Sequence, residues 1–307
     1  MQKRTFVDYA VITLKGIAMG AADVVPGVSG GTIAFISGIY EELITSINNI
    51  NFSLLKTLKK EGIAAAWKAV NGSFLVSLLL GIAISVLSLA KGIKWLLEHQ
   101  PILLWSFFFG LVIASILFVA KEIEKWNVTA IIGFIGGAIA AYYISTTPPL
   151  AANSNNFFLF FSGALAICAM ILPGISGAFI LVLLGAYETI LTAVNEKNIK
   201  IIAIVGLGAI CGLLSFSRVL KWLFTHYKNI TLAVLTGFIF GSLNKIWPWK
   251  ETLSFYTNSK GEEMPLLQKS VFPNHFDGDP KLLFAIILAC AGFLTIFLLE
   301  KIATKKQ

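Results

Sequence analysis

A five-residue motif, Pro-Gly-x-Ser-Gly, occurs twice in the chain, and both copies could bind an anion. Glycines let the backbone approach a ligand closely, and the free N–H groups of a following helix attract negative charge. Serine and threonine hydroxyls add further hydrogen-bond donors. The candidate binding residues are Pro26, Gly27, Ser29, Gly30, Gly31 and Thr32 in the first copy and Pro173, Gly174, Ser176 and Gly177 in the second.

The chain that carries these motifs is far too apolar for a soluble protein. Hydrophobic residues make up 57% of its 307 residues and charged residues only 13%, with a mean hydropathy of +0.82. A soluble domain is about 25% charged, and the apolar stretches exceed the roughly ten-residue strands of outer-membrane barrels. We therefore predict an all-α integral membrane protein. The net charge of +8 is scattered between apolar segments, which is typical of topology signals and contacts with anionic lipids rather than nucleic-acid binding.

Ten apolar stretches can be recognised, and they are of two kinds. Four of them flank the motifs and are too short or too charged to span a membrane well, at 6–22, 31–47, 156–172 and 178–195. Six are better spans, at 73–90, 101–120, 128–147, 201–217, 230–246 and 282–299. Broken backbone is tolerated at membrane depth only when it is buried in protein or lines a cavity. We therefore predict two re-entrant hairpins whose tips carry the motifs and meet near the midplane.

The chain also contains an internal repeat. At an offset of 147 residues, ten of the 23 positions from 26 to 48 are identical, and a second series matches at an offset of 127. We predict a first repeat at 1–150 and a second at 151–307, with a polar extramembrane loop at 248–281. Each repeat has an odd number of crossings, so the second is inverted, which is the plan of secondary transporters. With both termini cytoplasmic, 15 of the 24 basic residues lie inside.

Charged residues near the motifs are further candidates. Arg218 could bind a phosphate through its forked guanidinium, or it could be a topology anchor at the end of a span. Lys15 lies in a hairpin arm and needs a partner there. Asp23, Glu41 and Glu188 are candidates for proton coupling, because a desolvated carboxyl can titrate near neutrality. The alternative for the two glutamates is a position at the polar end of a hairpin.

The stretches Asp23-Val24-Val25-Pro26-Gly27-Val28-Ser29-Gly30-Gly31-Thr32 and Leu172-Pro173-Gly174-Ile175-Ser176-Gly177 resemble the motifs of the PopT-type polyprenyl-phosphate transporter family. The resemblance covers nearly the whole chain. It implies an inverted-repeat fold with re-entrant hairpins in the bacterial cytoplasmic membrane. It also implies recycling of undecaprenyl phosphate. From the residues themselves we expect the phosphate headgroup to bind at the paired tips, and either a proton or a sodium ion could be the coupling ion. Because Ala178 and Phe179 replace Gly31 and Thr32, the two halves are not expected to contact the headgroup equally.

Two other functions compete with this hypothesis. The same scaffold could transport a small anion or another ion. Gly27-Val28-Ser29-Gly30 could also belong to an intramembrane serine hydrolase, which would need a general base. The histidines, at 99, 226 and 275, are predicted at span ends or in the polar loop. We therefore predict no catalytic residues, and neither a cofactor nor a metal site, because no cluster has the spacing of metal ligands.

Overall fold

A computed structural model describes residues 4–24, 29–150, 155–257 and 263–304 of the chain. Up to the middle of the chain, seven helices follow one another with short connections. They are α1 (Phe6–Val24), α2 (Gly30–Ile36), α3 (Tyr40–Asn48), α4 (Phe52–Ala69), α5 (Gly72–His99), α6 (Pro101–Lys121) and α7 (Val128–Thr146).

The remainder adds six helices and one small sheet. The helices are α8 (Asn156–Ile171), α9 (Gly177–Leu183), α10 (Tyr187–Asn195), α11 (Ile199–His226), α12 (Lys228–Ser242) and α13 (Leu282–Thr304). Short 3-10 helices occur at Leu243–Ile246 and Pro273–His275. The antiparallel strands β1 (Lys250–Thr257) and β2 (Glu263–Ser270) pair with a register shift near Ser254.

Helix bounds in the two halves correspond residue by residue at the two sequence offsets. Helices α2 and α3 have the same lengths as α9 and α10 and precede them by 147 residues. Helix α5 matches α11 in the same way at 127 residues, and α6 and α12 begin 127 residues apart. Helix α4 has no such partner, and its 18 residues account for most of the 20 by which the offsets differ. The division into two inverted halves stays a prediction, because these bounds do not define a membrane orientation.

Glycines at matching positions let pairs of helices pack with their backbones in contact. A Cβ atom on Gly16 of α1 would collide with the carbonyl oxygen of Leu78 in α5, and one on Gly163 of α8 would collide with that of Val205 in α11. These two contacts are related by the same offsets as the helices. Helix α6 packs in this way on α13, and helix α12 packs in this way on α7. A helix of each half therefore contacts the last helix of the other half. Small residues at such crossings are typical of membrane helices.

The predicted spans agree with the helices. Among the described residues, five helices are long and apolar enough to cross a membrane. They coincide with five of the six predicted spans: α5, α6, α7, α11 and α12 with its 3-10 extension. The sixth predicted span lies in α13, of which Leu282–Phe297 is apolar. The chain is therefore an all-α membrane protein.

Four regions differ in detail from the sequence-based picture. The arms at 31–47 and 178–195 are each two short helices rather than one, and α9 and α10 are bent by 114° at their break. The break falls at Gly38 and Gly185, whose positive φ values of 71° and 65° suit glycine best. The polar link at 48–72 contains helix α4, and the polar loop at 248–281 contains a β-hairpin.

Candidate functional site

The two motif tips contact each other directly. The Ser29 hydroxyl lies 3.3 Å from the carbonyl oxygens of both Met170 and Leu172, to which it can donate. The Gly174 N–H donates to the Thr32 hydroxyl at 2.9 Å. Ser29 and Thr32 are buried, with 0% and 1% of their surface exposed, so these bonds lie inside the protein. The candidate residues of the two motifs are therefore brought together from positions more than 140 residues apart in the sequence.

The first tip satisfies its own polar groups. Ser29 is the N-cap of α2, and its hydroxyl accepts the Gly31 N–H at 3.1 Å. The Asp23 carboxylate accepts the Gly30 N–H at 2.7 Å. A protein carboxylate therefore occupies the place at the start of α2 where the sequence predicted a bound anion. Gly31 also packs closely, since a Cβ atom there would lie 2.6 Å from the Ile171 carbonyl oxygen. Pro26 and Gly27 lie outside the described residues.

The second tip is built differently and borders a small cavity. Gly174 has a φ of +90°, and a Cβ atom there would lie 3.0 Å from atoms of α12. Pro173 is buried. Ser176 is the N-cap of α9 but makes no capping bond with its side chain, and Gly177 packs against the Ala166 carbonyl oxygen. The cavity is lined by Ser145, Gly174, Ser176, Phe179, Ser242 and Lys245, among others.

Lys245 is a residue that sequence reasoning missed. Its side chain is half-buried, and its Nζ lies 4.2 Å above the Phe179 ring, a cation–π contact. The sequence places Lys245 at the end of a span, where a lysine is usually a topology signal. Its repeat counterpart at the offset of 127 is Phe118, so the comparison of the two halves gave no signal for it.

Lys15 and Arg218 do not lie in the tip contact. The Lys15 Nζ donates to the Ser37 carbonyl oxygen at 2.6 Å, at the far end of α2 and about 10 Å from its start. Arg218 is exposed on α11. Helices α8 and α11 run in the same direction, and the Cys168 thiol approaches the Gly212 carbonyl oxygen at 3.7 Å. Arg218, about 9 Å beyond Gly212, is therefore roughly level with the second tip.

Glu41 and Glu188 begin the corresponding helices α3 and α10, away from the tips. Glu41 is exposed and lies 3.9 Å from the Lys228 ammonium, and Glu188 is half-buried. The adjacent Glu42, which was not a candidate, accepts both arms of the Arg4 guanidinium at 2.7 Å. This hydrogen-bonded pair raises the pKa of Arg4 and ties the start of α1 to α3.

The histidines of the described helices are not positioned to activate Ser29. His99 and His226 end α5 and α11, where both are exposed and each ring lies 2.9 Å from a tryptophan carbonyl oxygen one turn back. Ser29 is instead bonded to backbone groups within the tip contact. Within the described ranges, no group of three or more histidine, cysteine, aspartate or glutamate residues could hold a metal ion.

The fold and the buried pair of helix breaks define a multi-pass, all-α membrane protein. A model of the undecaprenyl phosphate translocase-like family matches residues 19–264. The chain is 49% identical over 303 residues to a polyprenyl-phosphate transporter of Vibrio cholerae, covering 97% of this chain and 98% of that protein. It is 32% identical over 253 residues to a polyprenyl-phosphate transporter of Staphylococcus aureus, covering 76% and 85%. No solved structure gives a significant match. The chain belongs to the undecaprenyl phosphate translocase-like family, whose named relatives are transporters rather than enzymes.

Proposed function

We propose that this protein moves polyprenyl phosphate, and specifically undecaprenyl phosphate, between the leaflets of the bacterial cytoplasmic membrane. The observation that carries the proposal is the contact of Ser29 and Thr32 in the first motif with the second motif, among helices of membrane length. Broken helices that meet in this way are the best-known setting for transport sites. The names of the two relatives supply the substrate class.

The phosphate headgroup is the part of the lipid that needs protein. Moving a bare ionised group through hydrocarbon would cost tens of kcal/mol. The polyprenyl tail can stay in the lipid while the headgroup passes the tips. Hydroxyls and a basic side chain must offset the desolvation, since α2 and α9 are only seven residues long and add little through their dipoles. Arg218, exposed and level with the second tip, is a candidate to guide the headgroup from the lipid.

Coupling to a proton or sodium ion fits best at Asp23. This carboxylate bonds to Gly30 within the first tip, so a change in its charge acts directly on the tip contact. Glu41 and Glu188 are weaker candidates because they begin α3 and α10, about two turns away from the tips. Lys15 donates to the Ser37 carbonyl oxygen at the end of α2, so it stabilises the first hairpin rather than binding the headgroup.

The proposed topology has both termini in the cytoplasm and the two halves inverted. Helices α1 and α8 each enter the membrane and end at a tip, and α5 and α11 cross it fully. The first half comprises 1–150 and the second 151–307. The β-hairpin formed by β1 and β2 then lies on the outer face.

A small soluble anion is the second candidate substrate. It is favoured by one observation, namely that the polar residues lining the cavity beside the second tip, Ser176 and Lys245 among them, would suit a soluble anion as well as a lipid headgroup. The family membership argues against it, because both named relatives carry polyprenyl phosphate.

The test uses the full chain in liposomes that contain undecaprenyl phosphate. A phosphatase added outside consumes only outer-leaflet lipid unless transport exposes the rest, so we expect nearly complete hydrolysis with the protein and a protected fraction without it. Gly174→Leu should abolish the effect, because a side chain there meets α12, whereas Gly206→Leu in α11 meets nothing within 4 Å and should not. Flux of entrapped inorganic phosphate without lipid exposure would replace this function with the second candidate.

A further inference from the structure

Three serines and one lysine line the cavity beside the second tip. Ser145 comes from α7, Ser176 from the tip, and Ser242 and Lys245 from the end of α12. Ser176 and Ser242 are buried, with 7% and 4% of their surface exposed. This is a built polar site within an apolar bundle, because its polar groups come from three separate segments of the chain.

The positive charge at this site has no counter-charge among the described residues. The ion pairs within the described part of the chain join Arg4 to Glu42 and Lys228 to Glu41, and neither involves Lys245. Lys250 lies outside the cavity lining, where its side chain donates to the Lys245 carbonyl oxygen and its Nζ is 5.0 Å from the centre of the Trp105 ring. A half-buried lysine ammonium beside a ring, with no ion pair among the residues that the structure describes, favours an anion at this site.

The first tip offers no equivalent site. Its polar groups are bonded to one another, through Asp23 to Gly30 and Ser29 to Gly31. At the offset of 147, Met170 stands where Asp23 does, so the second tip lacks the carboxylate that would repel a phosphate. The asymmetry between the tips therefore favours the second tip for an anion on grounds of charge. The Ser176 hydroxyl makes no capping bond there, whereas the hydroxyls of Ser242 and Ser145 donate to the carbonyl oxygens of Ile239 and Tyr142 in their own helices.

We propose that the cavity formed by Ser176, Ser242 and Lys245 binds a phosphate monoester dianion, the headgroup of the transported lipid. This proposal rests on the proposed function and assigns the headgroup to one tip. The cavity has room for about one water molecule as it stands, so the Lys245 ammonium must leave the Phe179 ring as the phosphate enters. Its flexible stem allows that movement, and the ring contact holds the ammonium in place until then. In the proposed topology this site faces the outer leaflet, because β1 follows it directly.

Binding is measured in detergent with two probes, farnesyl phosphate as a short polyprenyl monophosphate and inorganic phosphate, by titration calorimetry on the full chain. Lys245→Gln should weaken binding of farnesyl phosphate roughly 10- to 100-fold, as expected for losing a bond between charged groups. Lys245→Arg should restore most of it, and Ser176→Ala should show a smaller loss. The matched control is Lys269→Gln, which removes an exposed lysine on β2 and should leave the affinity unchanged.

The outcomes separate this proposal from the proposed function. Lys245→Gln and Ser176→Ala proteins with wild-type affinity would overturn the proposal, even if the wild-type protein transports lipid. Charge-dependent binding by a protein that exposes no lipid to phosphatase would uphold the anion site and reject the transport function. Binding of inorganic phosphate that depends on Lys245, together with no such binding of farnesyl phosphate, would uphold the phosphate chemistry and contradict a lipid as its source. If the Lys245→Gln protein does not fold, Lys245→Arg and Ser176→Ala still decide the result.

Discussion

The hydrogen bond between Thr32 and Gly174 can be removed with almost no change of shape by Thr32→Val. The Thr32 side chain is 1% exposed, and its hydroxyl accepts the Gly174 N–H at 2.9 Å. Valine replaces that hydroxyl with a methyl group and leaves the N–H facing a hydrocarbon surface. A buried donor without a partner costs about 1–3 kcal/mol. Gly174 is itself only half-buried, so we expect a value of about 1–2 kcal/mol.

This loss acts on the contact between the tips rather than on one helix. A change of one to two kcal/mol shifts an equilibrium roughly 5- to 30-fold, so molecules with separated tips should become that much more frequent. Hydrogen–deuterium exchange of the peptide covering 171–177, measured by mass spectrometry in detergent, should rise by about the same factor. Lipid transport should change together with exchange, since the tips are the proposed place of headgroup passage.

Thr236→Val is the matched control for this substitution. Thr236 is also fully buried, but its hydroxyl donates to the Leu232 carbonyl oxygen at 2.6 Å within the same helix. That carbonyl keeps its helical backbone bond when the hydroxyl is lost, so no buried donor is left without a partner. Equal exchange at 171–177 in wild type, Thr32→Val and Thr236→Val would refute the idea that this bond holds the tips together.

Three further predictions follow from single sites. Asp23→Asn should retain binding of farnesyl phosphate but lose the pH dependence of lipid transport in liposomes, and an unchanged pH profile would remove Asp23 from coupling. Burial, reinforced by Lys245, lowers the pKa of Lys250 to about 7. The unfolded chain therefore binds more protons between pH 7 and about 10.5, and the free energy of unfolding should rise across that window by up to a few kcal/mol. Lys250→Met should flatten this rise in the free energy of unfolding, as measured by thermal denaturation at each pH. The same pH dependence in the wild-type and Lys250→Met proteins would contradict the assignment to Lys250. Gly208→Val, which forces a side chain against the Phe160 carbonyl oxygen, should destabilise the α8–α11 packing by roughly 1–3 kcal/mol, while Gly206→Val should be nearly silent in the same denaturation assay.

The sequence alone was enough for the class of protein, most of the spans and the correspondence between halves. These features depend on local composition, since a helix in lipid must satisfy its backbone internally and present about 20 apolar residues. The repeat could be found because both copies keep residues that the backbone needs, such as Gly38 and Gly185 at the breaks of the hairpin arms. The family could be recognised from the same two motifs, because their glycines and serines occur at fixed spacing.

The difference between the surroundings of the two tips is visible only in the tertiary structure. The sequence gives Ser29 and Ser176 the same motif, but one hydroxyl is used within the first tip and the other borders a cavity. The sequence predicts Asp23 as a coupling residue near an anion site at the start of α2. In the structure its carboxylate accepts the Gly30 N–H and so occupies that site. Lys245 carried no signal because it lies 69 residues from Ser176 along the chain and ends a span, as many lysines do. Its proposed role depends on α12 passing beside the second tip, and long-range packing of this kind is set by interactions that no local pattern encodes.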